Sequence, residues 1–213
     1  MADKTLESVT IPVDGVELEG DLRVPAGASG LVVFAHGSGS SRKSPRNNYV
    51  AEVIRDRTVG TLLFDLLTEQ EDETYETRFD IPLLVERLLG ATEWLRKRDD
   101  TKTLDIGYFG SSTGASAALL AAAELGDETG AVVSRGGRVD LADARLGDVR
   151  APTLFIVGGA DEPVLSLNRD SFERLDCEKS LEVIPGAGHL FERPDELEDV
   201  AELAADWFET HLG

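Results

Sequence analysis

The chain has 213 residues and carries 41 Asp and Glu against 21 Lys and Arg, a formal net charge of −20. That charge argues against nucleic acid and anionic membranes as partners, because phosphate backbones and acidic headgroups repel it. The length suits a single α/β domain over residues 1–213, able to bury roughly 70% of its unfolded surface.

No apolar run approaches the ~18 residues of a membrane span, and "MADKTLESVT" lacks the basic-then-apolar pattern of a signal peptide. A single cysteine, Cys177, excludes an internal disulfide framework. The expectation is a soluble, cytoplasmic protein. The few lysines and many carboxylates also suit a salt-rich cytoplasm, where the Debye length shrinks to about 3 Å near 1 M.

In chain order, "LESVTIPV" and "VELEGDLRV" alternate apolar and polar residues around Asp14-Gly15, the pattern of an antiparallel hairpin. "GLVVFA" is a short, continuous apolar run of the kind found in a strand buried on both faces. "YVAEVIRDR" reads as a helix and "GTLLFDL" as a strand. The acidic stretch "TEQEDETYETR" then reads as a solvated loop, placed after a strand end where it could overhang a site. "IPLLVERLLGATEWLRKR" is a long amphipathic helix, with Asp80 as N-cap and Pro82 in its first turn.

"LDIGYF" is a strand, and "GASAALLAAAEL" is a helix of high intrinsic propensity. "GAVVSR" and "PTLFIVG" are strands, "NRDSFERL" a short helix, "KSLEVIPG" a strand and "DELEDVAELAADWFETHL" a closing helix after Pro194. This alternation predicts a mostly parallel sheet of about eight strands with helices on both faces. Ligands of such sheets bind beyond the carboxyl ends of the strands, so the residues just after strands are the ones to search.

"GYFGSSTGAS" contains G-x-S-x-G as Gly110, Ser112 and Gly114, at a strand-to-helix junction. A sharp turn there crowds the backbone, and the two glycines relieve it around a candidate nucleophile, Ser112. The same pattern alone is equally compatible with a chemically inert helix entry. A serine hydroxyl needs a base, and there are three histidines, His36, His189 and His211. His189, in "PGAGHLFE" after the last strand, is placed to reach across the sheet end. The orienting acid should follow an intervening strand, where "PTLFIVGGADEPV" offers Asp161, with Glu162 as competitor and helix capping as the alternative role. Ser112, Asp161 and His189 in that order give the order of an α/β-hydrolase triad.

"FAHGSGSS" follows the third strand and can aim a backbone N–H at a reacting carbonyl. The expected oxyanion donors are the N–H groups of Ser38 and Thr113, with His36 and Gly37 shaping the turn and lining the substrate site. The alternative, a phosphate-cradling loop, lacks the G-K-[ST] ending. No His, Cys and carboxylate cluster has metal-ligand spacing, so no metal is expected. Arg42 and Arg46 follow the oxyanion turn, Arg78 precedes a helix, and Arg135 and Arg138 follow a strand. Arg42, Arg78 and Arg135 are candidates to bind an anionic substrate, against the alternative that they pair with surface carboxylates.

"VVFAHGSGSSR", "GYFGSSTGAS", "APTLFIVGGADEPV" and "IPGAGHLFE" together resemble the α/β-hydrolase fold, and most closely its dienelactone hydrolase-like branch, over nearly the whole chain. The resemblance implies a hydrolase without metal or organic cofactor, with Ser112 as nucleophile, Asp161 as acid and His189 as base. Dienelactone hydrolase proper carries cysteine at the nucleophile position. Serine here points to cleavage of small carboxylic esters, carboxylated or lactone substrates among them. The chain has no insertion long enough for a large helical cap, which implies an open pocket. An acyltransferase or perhydrolase using the same triad, or a non-catalytic ligand-binding protein on the same fold, are the competing readings.

Overall fold

The computed structural model describes residues 6–213; residues 1–5, where the stretch read for a leader begins, lie outside the described residues. One eight-stranded sheet runs in the order β1-β2-β4-β3-β5-β6-β7-β8. Its strands are β1 (Glu7–Val13), β2 (Val16–Arg23), β3 (Gly30–Ala35), β4 (Gly60–Phe64), β5 (Asp105–Ser111), β6 (Ala131–Arg135), β7 (Thr153–Gly158) and β8 (Lys179–Ile184). From β4 to β8 the pairs are parallel, while β1 and β2 form the antiparallel edge hairpin. Asp14 and Gly15 both have positive φ, +47° and +81°, the requirement of a two-residue turn whose twist matches its strands.

The helices are α1 (Pro45–Asp56), α2 (Glu69–Asp72), α3 (Ile81–Lys97), α4 (Thr113–Leu125), α5 (Glu162–Phe172) and α6 (Pro194–His211). β3, β4, β6 and β7 are buried along their whole length, as continuous apolar runs require, whereas β1 buries alternate residues and leaves its other face in water. One core layer joins the sheet to α3 and α4 through Leu84, Leu88, Leu95, Leu119 and Tyr108. The other packs α1 and α6 on the opposite face through Val50, Ile54, Val200, Ala204 and Phe208. Each such side chain, once fully buried, contributes about 1.5–3 kcal/mol. No helix among the described residues is long and apolar enough to cross a membrane.

Three segments differ from the sequence expectation. The acidic stretch is not a plain solvated loop: Thr68 caps α2 in a reciprocal capping box with Glu71, and a 3₁₀ turn follows at Glu76–Phe79. Here local capping chemistry outweighs the polar composition. α5 starts at Glu162, well before "NRDSFERL", because Pro163 is tolerated in a helix's first turn. A 3₁₀ segment at Val139–Asp148 also fills the connection to β7. Asp80 does cap α3, its side chain accepting from the Leu83 N–H.

Candidate active site

Ser112 stands between β5 and α4 with φ +50° and ψ −119°, a conformation that costs a non-glycine residue about 1–3 kcal/mol and persists only where its surroundings enforce it. They do. The Ser112 N–H donates to the Arg135 carbonyl at 3.2 Å, and the Ser112 carbonyl accepts from Ala115 and Arg138 at 3.1 and 3.0 Å. The flanking glycines have specific reasons. A Cβ on Gly110 would overlap the Ala115 backbone, and one on Gly114 would overlap the carbonyl groups of Ala35 and His36. The motif is therefore a strained, tightly packed strand-to-helix elbow and not a loose small-residue turn.

Asp161 and His189 come together because the loops after β7 and β8 are stitched to each other. Gly159 N–H donates to the Ile184 carbonyl at 2.8 Å and Ala160 N–H to the Ala187 carbonyl at 2.9 Å. Asp161 precedes α5 but does not cap it through its side chain. Its carboxylate instead meets His189 Nδ1 at 2.7 Å, with 13% of the Asp161 side chain and 37% of the His189 side chain exposed. A carboxylate there accepts the Nδ1 proton and leaves Nε2 as the basic nitrogen. Glu162, the competing acid, is exposed in the first turn of α5. Gly136, at φ +52°, lies beneath the imidazole, where a Cβ would stand 3.5 Å from Nδ1. Among the described residues no hydrogen bond joins the Ser112 hydroxyl to His189, a contact that often tightens only around substrate.

The turn after β3 passes over the elbow. A Cβ on Gly37 would stand 3.1 Å from Ser112 Cβ, and the Ser38 N–H donates to Thr113 Oγ1 at 3.0 Å. Thr113 opens α4, so its own N–H is among those left without an intrahelical acceptor. His36 is buried between two backbone groups: Nε2 accepts from the Leu66 N–H at 3.0 Å, which leaves Nδ1 to donate to the Gly37 carbonyl at 3.0 Å. Burial holds its pKa below the ordinary histidine value. His36 thus shapes the turn and braces it against the loop after β4.

The arginines divide into used and unused charge. Arg42 is engaged by Asp65 and Glu19, with Asp21 at 3.8 Å. Arg78 donates through Nε to the Asp72 carbonyl at 2.8 Å, and Arg138 pairs with Asp140 at 2.9 Å. Arg135 differs: it is 8% exposed, and its Nε and Nη1 have no partner. Burial, aided by the Arg46 charge, pushes its pKa down to about 10.

Sequence reasoning missed the positioning contacts: the Thr113 hydroxyl on Ser38, Gly136 under His189, and Asn47, which accepts from Ser111 Oγ at 3.3 Å. Of these, only Gly136 left a sequence signal, a Gly-Gly pair just after a strand. A groove of about 750 Å³ borders the oxyanion turn, lined by His36, Arg42, Asp65 and Thr68, and a pocket of about 470 Å³ opens on the α1 side along Arg46, Tyr49 and Phe191. Among the described residues no group of three or more His, Cys, Asp or Glu is placed to hold a metal ion.

The family model described as the dienelactone hydrolase family matches residues 61–212. The chain belongs to that family. A crystal structure of dienelactone hydrolase from Anabaena variabilis is 54% identical, with a TM-score of 0.96 over 98% of this chain and 99% of that one. Est1E from Butyrivibrio proteoclasticus, at 18% identity and a TM-score of 0.82 over 96% and 98% of the two chains, shares the fold. A Mycobacterium tuberculosis protein (strain H37Rv), provisionally named a phosphoribosyl transferase, is 54% identical over 206 residues. That match takes in 97% of this chain and 46% of the relative, so the chain spans about half the length of the curated relatives it matches. The model match and the 54% identical dienelactone hydrolase thus agree on the family, and the more distant structure on the fold.

Proposed function

We propose that the chain hydrolyses small carboxylic esters through an acyl-enzyme on Ser112. The observation that carries this reading is Ser112 held at φ +50° on the strand-to-helix elbow, its N–H bonded to the carbonyl of Arg135, which precedes the glycine beneath the Asp161-bound His189. An inert helix entry has no reason to keep a serine in that conformation.

In the first half-reaction Ser112 Oγ forms a bond to the carbonyl carbon while His189 Nε2 takes its proton. Asp161 holds the imidazole and stabilises its charged form. The carbonyl oxygen becomes an oxyanion facing the N–H groups of Ser38 and Thr113, donors worth about 10²–10³ in rate each. The Ser38 N–H must exchange the Thr113 hydroxyl for the oxyanion as substrate enters. The carbon–oxygen bond to the alcohol then breaks, and His189 returns the proton to the leaving alkoxide. Water, deprotonated by His189, attacks the acyl carbon, and the acid leaves as the proton returns to Ser112. No step needs a metal or organic cofactor.

The transferase name of the mycobacterial relatives is not carried over, since those proteins are about twice as long as the part matched here. Fluorophosphonate labelling of wild type and Ser112→Ala, alongside hydrolysis of a short-chain ester, tests the proposal. Wild type is expected to be labelled at Ser112, and the variant to lose labelling and at least ~10³-fold of the hydrolysis rate. Folded wild type that resists the probe would return the chain to the ligand-binding reading.

A further inference from the structure

Three arginines are buried among the described residues: Arg55, Arg87 and Arg135. Arg55 donates to Thr61 Oγ1 at 2.8 Å, and Arg87 donates to the Val13 carbonyl at 3.1 Å and to Glu71 at 2.8 Å. Among the described residues Arg135 has no hydrogen bond or ion pair through its guanidinium, although the chain holds 41 Asp and Glu. Leaving a buried guanidinium unpaired is costly. In a protein this acidic, a carboxylate neighbour would be the easy remedy, and none has been placed there.

The surroundings add positive charge. The charge that acts on Arg135 is that of Arg46, in the first turn of α1, where a cation opposes the helix dipole. That turn contains no acidic residue, and Arg46 forms no ion pair among the described residues. Alternation along β6 sends Val132 to the α3–α4 layer and Ala131 and Val133 to the α1–α6 layer, so Arg135 projects on the α1 side. Its partner across the sheet is Ser111, whose hydroxyl meets Asn47 of the same first turn at 3.3 Å. Arg135, Arg46 and the amino end of α1 therefore converge beside the elbow, whose Ser112 N–H is bonded to the Arg135 carbonyl at 3.2 Å.

We propose that Arg135, Arg46 and the amino end of α1 bind the phosphoryl group of a phosphorylated ester whose acyl carbon is presented to Ser112. The inference rests on the hydrolase reading above and names its substrate class. A phosphomonoester carries close to two negative charges at neutral pH and three acceptor oxygens, enough for two guanidinium groups and the Arg46 N–H, the one backbone donor of the first turn of α1 left open by Pro45 and by the Ser44 cap on Asn47. A carboxylate would neutralise one arginine and leave the other unmatched. The pocket along Pro45, Arg46, Tyr49 and Phe191 opens at the Arg46 end of this cluster. Glu192 and Glu198 are exposed along it and Arg193 is paired with Asp195 and Glu196, which leaves Arg46 as its unpaired cation among the described residues.

The test combines binding and turnover at constant ionic strength. Inorganic phosphate and succinate are titrated calorimetrically into wild type, Arg135→Met and Arg46→Met. kcat/KM is then compared for one ester in neutral, carboxylated and phosphorylated forms. Wild type is expected to bind phosphate more tightly than succinate and to prefer the phosphorylated ester. Either variant should lower the phosphorylated-to-neutral ratio about 10–100-fold, the range for a lost charge-assisted contact. Arg135→Met should also raise the unfolding midpoint of the unliganded protein, because it removes an unpaired buried charge; a structural arginine would lower it.

Phosphate binding that depends on Arg135 without any ester hydrolysis would sustain this site while overturning the hydrolase reading. Ester hydrolysis with an unmoved ratio and no phosphate binding would overturn this site alone. Tighter binding of succinate than of phosphate would overturn the phosphoryl assignment.

Discussion

His36 commits both ring nitrogens to backbone groups, Nε2 to the Leu66 N–H and Nδ1 to the Gly37 carbonyl, and burial disfavours its charged form even though Asp65 and Asp72 pull the other way. A second proton would also meet the Leu66 N–H head-on. The folded-state pKa therefore lies below the unfolded one of about 6.5. As pH falls through that value the unfolded chain takes up the proton first, so stability is full above it and lost between the unfolded and folded pKa values. Wild type should consequently lose more stability than His36→Gln on going from pH 7.5 to 5.5, read as urea midpoints at constant salt. Parallel slopes would show that His36 is not a source of acid sensitivity. At this same scale lies the limit of sequence reading. That Ser112, Asp161 and His189 lie at one end of the sheet was legible because each follows a strand. Arg42 and Arg135 looked alike in the sequence, yet one meets three carboxylates and the other none, because tertiary neighbours decide pairing.

α4 begins directly against the end of β3, and the contact is made without a side chain. A methyl group at Gly114 would penetrate the carbonyl groups of Ala35 and His36. Alanine is favoured over glycine in a helix by about 1 kcal/mol, but overpacking a rigid site costs about 1–3 kcal/mol or more. The second effect should win, because β3 is held by parallel neighbours on both sides and cannot retreat. Gly114→Ala is expected to lower the urea midpoint, for a net loss of about 1 kcal/mol or more, whereas Gly188→Ala, with open space around it, should change it little. A stable Gly114→Ala would mean the junction is softer than this packing implies. Strands were the most legible elements, since their continuous apolar runs are buried on both faces. The start of α5 and the 3₁₀ segment at Val139–Asp148 were not, because a proline in a first turn and a short irregular helix leave weak periodicity.

At the scale of the whole molecule the dominant fact is a net charge of −20 on 213 residues. Local pairing offsets some of it: Arg57 alone meets Glu202, Asp206 and Glu209 and so ties α1 to α6. Exposed pairs contribute little individually, and the residual repulsion acts against the compact state. We propose that the chain is adapted to high salt. Raising KCl from low to molar concentration should then stabilise it by a few kcal/mol, roughly 5–10 °C in the thermal midpoint, as counterions screen the surface. Calorimetric scans that superimpose across this range would refute it. Arg87 carries a different consequence. One buried guanidinium holds both the Val13 carbonyl of the edge hairpin and Glu71, the residue that closes the α2 capping box. The tip at Asp14-Gly15 looks like a free splice point for a tag or an inserted loop. Prying it open would pull on the segment that walls the groove beside His36, so on the proposed function an insertion there would be felt as altered substrate access with Ser112, Asp161 and His189 all intact.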